Sequence, residues 1–569
     1  MKLTKYITSR RNAILGIAFV LLAGTLYSQN SPPNLNRASD YDVQHYILRV
    51  SFDRPAKKVI GDTTVRLKPI KDGFRRVTLD SVGIVYNSVT LESNERPLKF
   101  NINGSSVTVD LDRAYSPNET IGIRFKYTAV PKKGIYFVPE QKGGDGLVGH
   151  SDQIWTQGEP DEARHWFPSF DFPSDKATTE QYITANRNET VIGNGALAEK
   201  ISNPDGTVTH HYKMDVPFST YLVSFVVGEY SLVGDKYKDV PLGYYVYPGM
   251  EATAQKAYGK TPDMISTFEQ LTGINFPYNK YDQTIVASFQ FGGMENITAT
   301  TMADTEIMLV DNPLFGGNVQ DLVSHELAHS WFGDLVTCKN WGELWLNEGF
   351  ATFMEAAYRE KAQGRRAYIF KILGDAEQFK ASDAVTQKRH GLFNRNGADT
   401  SSLFDIPFTT YNKGGAVLHT LREQIGNEVF WRGVNIYLNR HKYANVETPD
   451  LRKAMEEASG SDLGWFFDQW VYGLGYPKIQ IKRSYMPSSR TLTLTVTQTQ
   501  KQEKYSPAAF RVPLDLEIQT ARGTTAEKIE LTQRAQTFKF KVNARPTKLV
   551  VDKDEKVPIK DVKILPLGK

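Results

Sequence analysis

His325, Glu326 and His329 stand in the order His-Glu-x-x-His, and eighteen residues separate His329 from Glu348. A helix turns about 100° per residue, so the two imidazoles lie about 40° apart around the axis and one turn apart along it. That is the spacing at which both can reach one tetrahedral ion. Two histidines and one carboxylate leave a fourth position open, which marks a catalytic zinc rather than a structural one. Glu326 projects from the same helix, placed to handle a water rather than the metal. Leu322, Val323, Leu327 and Ala328 make the stretch apolar, so the helix is expected to be buried. Polar groups there need partners, because an unpaired one is costly. A second helix is expected with Asn347-Glu348-Gly349-Phe350 in its early part. Glu355 lies two turns beyond Glu348 on the same face, and is either an acceptor that orients a histidine or an ordinary solvated charge.

The elements that must position these residues come from a chain of 569 residues, too long for one core. Residues 1–28 read as an export signal: Lys2, Lys5, Arg10 and Arg11, then an apolar run from Ala13 to Tyr27. Fifteen residues are short for a span, so no stable membrane span is expected after removal of this segment, and retention as an N-terminal anchor is the lesser alternative. The expected location is periplasmic or extracellular. The formal charge of +4 equals the four basic residues of that segment. The remainder is neutral, which leaves no electrostatic case for nucleic acid. Cys338 is the only cysteine, so no intramolecular disulfide forms and stability must come from packing and the metal.

Residues 29–233 carry a β pattern. His45–Phe52, Thr63–Leu67 and Val107–Leu111 read as strands, separated by turn clusters such as Asn103-Gly104 and Pro204-Asp205-Gly206. An antiparallel, sandwich-like domain is expected. Within it, Trp155 to Pro168 mixes acids, Arg and aromatics without a period, and by itself reads as a surface loop. From 234 to 475 the pattern is mostly helical. Gly292-Gly293 sits in an extended segment ahead of the histidine helix, and allows close approach of another backbone or marks a bulge at a sheet edge. Thr448-Pro449-Asp450 is expected to start a helix with Thr448 as its cap. From 476 to 569 alternation returns: Leu492, Leu494 and Val496; Val512, Leu514, Leu516 and Ile518; Phe538, Phe540 and Val542. A β-sandwich is expected there. The whole is a multidomain α+β chain.

Together these motifs resemble the aminopeptidase N family of zinc metallopeptidases. His325-Glu326-Leu327-Ala328-His329, Trp331-Phe332-Gly333 and Asn347-Glu348-Gly349-Phe350-Ala351 are similar to its zinc signature. Gly292-Gly293-Met294-Glu295-Asn296 is similar to its exopeptidase motif, Tyr411 followed by Lys413-Gly414 to its catalytic tyrosine, and Glu159 in Thr-Gln-x-Glu-Pro to its second amine-binding carboxylate. Ser330 and Asp334 depart from common Gln and Asn, at positions that are not ligands. Many members carry a further helical domain that closes over the site. The expectation is the short three-domain form, with a thermolysin-like catalytic domain and a more open cleft.

The resemblance implies one Zn²⁺ per chain, held by His325, His329 and Glu348, with Glu326 as general base and Tyr411 stabilising the oxyanion. By itself Tyr411 reads as a core tyrosine. Glu159 and Glu295 would bind the free α-ammonium of a peptide, with Gly292, Gly293 and Met294 lying along it as an added strand. The implied activity is hydrolysis of the N-terminal peptide bond, releasing single amino acids. An endopeptidase or epoxide hydrolase on the same site, or a catalytically silent scaffold, is the alternative. The preferred N-terminal residue, the physiological substrate and the oligomeric state are not written in the sequence.

Overall fold

The computed structural model describes residues 32–144 and 148–568; the export signal expected at 1–28 lies outside them. Among the described residues no helix is long and apolar enough to cross a membrane.

The first part is built on a seven-stranded sheet in the order Ala196–Ser202, Val208–Ser219, Lys176–Ala185, Tyr41–Asp53, Lys58–Pro69, Ile121–Ala129, Ile84–Leu91. Its pairs are antiparallel except one: Tyr41–Asp53 and Lys176–Ala185 run parallel, with His45 opposite Thr178 and Val50 opposite Ile183. Local alternation sets which side chains turn inward, but not the direction of a partner so distant in sequence. Val65, Leu67, Ile123 and Phe125 are fully buried, and share one core with Val77, Leu79, Val107 and Val109 of a smaller three-stranded sheet. A third sheet of four strands holds Gln153–Thr156 as an inner strand, between Phe225–Gly228 and Ile135–Val138, and all four of its residues are buried. This short strand leads directly into Gln157 and Glu159.

The middle part opens with a five-stranded sheet: Ser231–Tyr237, Val240–Val246, Tyr281–Val286, Ala299–Ala303 and, at the edge, Gly293–Met294. The expected division between 233 and 234 cuts the first of these strands. All seven residues of Ser231–Tyr237 pair with Val240–Val246, on both sides of that expected division. Helices follow: α1 (Glu251–Tyr258), α2 (Thr261–Thr272), α3 (Gly316–Ala328), α4 (Trp345–Gln363), α5 (Arg365–Val385), α6 (Gly414–Ile425), α7 (Asn427–Arg440), α8 (Thr448–Ser459) and α9 (Gly464–Trp470). A π-helical turn, Thr409–Lys413, runs into α6. The cap of α8 is Glu447, not Thr448: its side chain accepts from the backbone of Asp450, and the Asp450 side chain accepts from the backbone of Glu447. This reciprocal box satisfies two donors at the helix start, where Pro449 has none to lose.

The last part packs a four-stranded sheet (Ala535–Lys541, Thr491–Gln498, Lys478–Met486, Asp561–Gly568) with a three-stranded one (Gly523–Leu531, Val512–Thr520, Pro546–Val551). Leu492, Leu494, Val512, Leu514, Leu516 and Ile518 are buried, so the alternation read in the sequence is the inward face of both sheets.

Candidate active site

Helix α3 delivers Glu326 and the first histidine and ends at Ala328, with His329 as its C-cap. It is buried along Val323 to Ala328, while Leu322 is half-buried at the cleft. Helix α4 lies against it and supplies Glu348. One ligand atom from each of His325, His329 and Glu348 lies within 4.8 Å of the other two. The outer nitrogens of both rings are already committed. His325 Nδ1 donates to Glu355 Oε1 at 2.7 Å, and His329 Nδ1 donates to the carbonyl of Phe332 at 2.8 Å. A carbonyl or carboxylate only accepts, so each Nδ1 carries the proton and each Nε2 presents its lone pair. Both lone pairs face Glu348 Oε2, at 3.2 and 3.4 Å. Three electron-rich atoms at that separation repel unless a cation lies among them, so the donor set fits a metal ion. The same field draws a proton: burial opposes it, but Glu348 and Glu355 hold His325 up to about 9. Proton and metal compete for one set of lone pairs. Burial alone would raise Glu348, yet His329 and His325 hold it down to about 2.

Of the two readings of Glu355, the buried acceptor is the one observed. It bonds His325 on one side and Lys371 Nζ at 2.8 Å on the other. Farther along the same helix pair, Arg359 Nε donates to Asp321 Oδ1 at 2.7 Å, so α3 and α4 are laced by charged contacts on one face.

Glu326 lies against the edge strand. A Cβ built on Gly293 would stand 2.3 Å from Glu326 Oε1 and 2.4 Å from its Cδ, so a side chain at Gly293 and Glu326 in this pose exclude each other. At this position the close approach that glycine permits is by the Glu326 carboxyl, a neighbour the sequence did not reveal. Burial pushes that carboxyl up to about 8 against the opposing pull of His325 and His329.

Glu295, on the same extended segment, and Glu159, after the strand Gln153–Thr156, converge on the triad from two different sheets. Ligand oxygens of Glu159, Glu295 and Glu348 lie within 4.8 Å of one another, and Glu295, Glu326 and His329 form a second such group. Both acids are buried, and each has an Oε1 with no protein partner. Burial first, then neighbouring carboxylates, raise the pKa of Glu159; burial raises that of Glu295 against His329. Such oxygens are costly to bury unless a cationic group arrives to bond them. Gln157, quoted in the Thr-Gln-x-Glu-Pro stretch but given no role there, lies beside them and donates through Nε2 to Met294 Sδ at 3.2 Å, leaving its Oε1 unpaired. Only its place two residues before Glu159 could have signalled it.

Tyr411 sits half-buried in the π-helical turn, its ring stacked on His325 with centroids 5.9 Å apart. Its distance from α4 is set by glycines: a Cβ on Gly414 would stand 2.6 Å from the Cα of Gly349. Helices α4 and α6 therefore touch backbone to backbone beside Glu348, and the turn ahead of α6 lands over the triad. Asp334 is buried behind the site, where its backbone N–H donates to the His329 carbonyl at 2.9 Å. The triad, Glu326, Glu159, Glu295, Gly292, Gly293, Met294 and Tyr411 all line one cavity of about 690 Å³.

A helix bearing two histidines and a glutamate, a glutamate from the next helix and an adjacent strand edge define a metallopeptidase-like site. The model "Peptidase family M1 domain" matches residues 256–470, "Peptidase M1 N-terminal domain" matches 42–222, and "Domain of unknown function (DUF3458) Ig-like fold" matches 475–557. The chain belongs to the M1 aminopeptidase family. It is 28% identical to "Aminopeptidase 2" of Candida albicans over 88% of this chain and 55% of that protein. It is 34% identical to "Aminopeptidase N" of Streptomyces lividans over 58% of this chain and 40% of the relative. With "Glutamyl aminopeptidase" of Homo sapiens the figures are 32%, 58% and 35%. The chain thus spans about half, or less, of the length of the curated relatives it matches.

Proposed function

We propose that this chain is a zinc-dependent aminopeptidase that hydrolyses the N-terminal peptide bond of peptides and releases single amino acids. One observation carries the reading: Glu159 and Glu295 are buried, each with an oxygen lacking a protein partner, and their ligand oxygens stand within 4.8 Å of Glu348 in the His-His-Glu triad. The α-ammonium of a peptide supplies the donors those oxygens lack. It also fixes which carbonyl comes next to the triad, because an internal bond brings no ammonium and leaves the acids unpaired. The names of the relatives support the same reaction.

His325, His329 and Glu348 are the residues that would hold one zinc ion, whose Lewis acidity makes water more acidic and a carbonyl more electrophilic. Glu326 takes a proton from water as that water attacks the scissile carbonyl, then passes it to the departing amine nitrogen. The Tyr411 hydroxyl donates to the oxygen on which negative charge develops. Met294 and Gly293 belong to an edge strand, along which the substrate backbone adds as a further strand. Water and one peptide bond are consumed; a free amino acid and a peptide shortened by one residue are formed. The basic and apolar residues of 1–28 support an exported enzyme, periplasmic or extracellular.

A panel of aminoacyl anilides and their N-acetyl forms tests this. Free-amine substrates are expected to be cut and acetylated ones spared, with activity lost to a chelator and restored by zinc. Equal cleavage of both forms would remove the ammonium clamp. No cleavage of any anilide by the zinc-loaded protein would end the aminopeptidase reading.

A further inference from the structure

The contacts behind His325 do not stop at Glu355. The Lys371 ammonium that meets Glu355 also lies 2.9 Å from each oxygen of Asp375, one turn along α5. Asp375 Oδ1 accepts from Asn412 Nδ2 at 2.9 Å, and the same amide donates to Gln378 Oε1 at 3.1 Å. Asn412 follows Tyr411 in the π-helical turn, and the Tyr411 ring stacks on His325. The contacts close a circuit: His325, Glu355, Lys371, Asp375, Asn412, Tyr411 and back to His325. We propose that Lys371 is a positioning residue for the reaction, holding the Tyr411 turn, through Asp375 and Asn412, in register with the His325 side of the metal triad. This rests on the aminopeptidase reading above.

In sequence, Lys371 and Asp375 are an ordinary i,i+4 helix pair, the kind that contributes little on a surface. Here their side chains are only 14% and 4% exposed. Burial opposes the charge on Lys371, but Glu355, Asp375 and Asp321 outweigh it, so the ammonium persists. Taking these charges out of water is expensive, and the Lys371–Glu355 pair is not the cheapest way to pin α5 to α4. What it supplies is direction. An ammonium with three donors joins two carboxylates that would otherwise repel, and each carboxylate reaches one element of the site. A cationic node thus fixes two distances at once, where an apolar contact would fix neither.

The test uses the full chain and separates positioning from packing. Lys371→Met is expected to lower kcat about 10–100-fold, with KM nearly unchanged, and to weaken zinc affinity in competition with a chelator. Lys371→Arg should recover part of both. Asp375→Asn, nearly isosteric, should lower kcat while leaving zinc affinity as it was. In a Tyr411→Phe background the same change should cost nothing more, because the group it positions is gone. Equal costs of Asp375→Asn in both backgrounds, or a Lys371→Met protein that changes only in thermal midpoint, would overturn the proposal. If the wild type cleaves no anilide, the aminopeptidase reading falls. The His325 arm of the circuit is then judged by chelator competition alone, and unchanged zinc affinity in Lys371→Met would overturn it too.

Discussion

The cleft and the N-terminal β part both bury carboxylates, and they treat them differently. In the N-terminal part, Asp171 is fully buried and its oxygens are bonded: Arg164 donates from its backbone N and Nε at 3.1 and 3.0 Å, and Thr220 Oγ1 donates at 3.0 Å. Burial lifts its pKa to about 6, with Arg164 pulling the other way. In the cleft, Glu159, Glu295, Glu326 and Glu348 crowd together around two histidines and line one cavity, and Glu159 and Glu295 each keep an oxygen without a protein partner. A buried acid answered by the chain's own cation is part of the architecture. A cluster of acids left short of cations fits the two that the proposed function brings from outside, a metal ion and an ammonium.

If the cleft acids have separate tasks, removing them one at a time must give different kinetic signatures. Glu326→Gln keeps the shape and the triad but loses the base. The expected loss in kcat is about 10²–10⁴-fold with zinc retained, read by steady-state kinetics and metal analysis. A variant that keeps its rate would merge Glu326 with the rest of the cluster. Gly293→Ala asks the same of its position. The new methyl would take the space of the Glu326 carboxyl, whose flexible side chain can swing aside without unfolding the protein. Thermal stability is expected to hold while kcat falls about 10²-fold, the cost of a misplacement near 1 Å. Full activity would show that Glu326 works from another pose.

Glu295→Gln and Glu159→Gln should act on binding instead. Each removes a charge-assisted bond to the ammonium, worth about 1.5–3 kcal/mol, so KM for free-amine substrates should rise about 10–100-fold. Their kcat should fall less than that of Glu326→Gln. A matching fall in kcat with unchanged KM would mean that these acids belong with the base and not with the clamp.

How far this division could be read beforehand followed distance along the chain. His325, His329 and Glu348 sit on two consecutive helices, where spacing alone converts to geometry. Glu159 and Tyr411 enter from a loop after a buried strand and from a π-helical turn, and nothing local marks them; only the resemblance pointed there. Lys371, Asp375 and Asn412 were invisible because a buried i,i+4 pair has the same letters as a solvated one. The parallel pairing of Tyr41–Asp53 with Lys176–Ala185 was hidden for a related reason, since alternation fixes a strand's faces and not its partner. The strand faces and the C-terminal alternation were legible, because burial on one side of a sheet writes itself into every second residue.

The smallest effect tests whether an unpaired oxygen by itself signals function. Asp175 in the N-terminal part is half-buried, and its buried Oδ1 has no partner, while Oδ2 accepts only a long bond from the Val43 N–H at 3.4 Å. Burial, then Asp42, raises its pKa from 3.8 to about 8. The folded state therefore keeps a proton that the unfolded chain releases. Through that window the folded state binds more protons, and stability falls as pH rises. Asp175→Asn removes the slope, so its advantage over the wild type, on the order of 1 kcal/mol, should grow from about pH 4 to about pH 8 in denaturant titrations. Anilide kinetics should be unaffected. A loss of activity would mean that a lone orphaned acid outside the cavity lining matters to the reaction, and the contrast would no longer rest on convergence over a cavity.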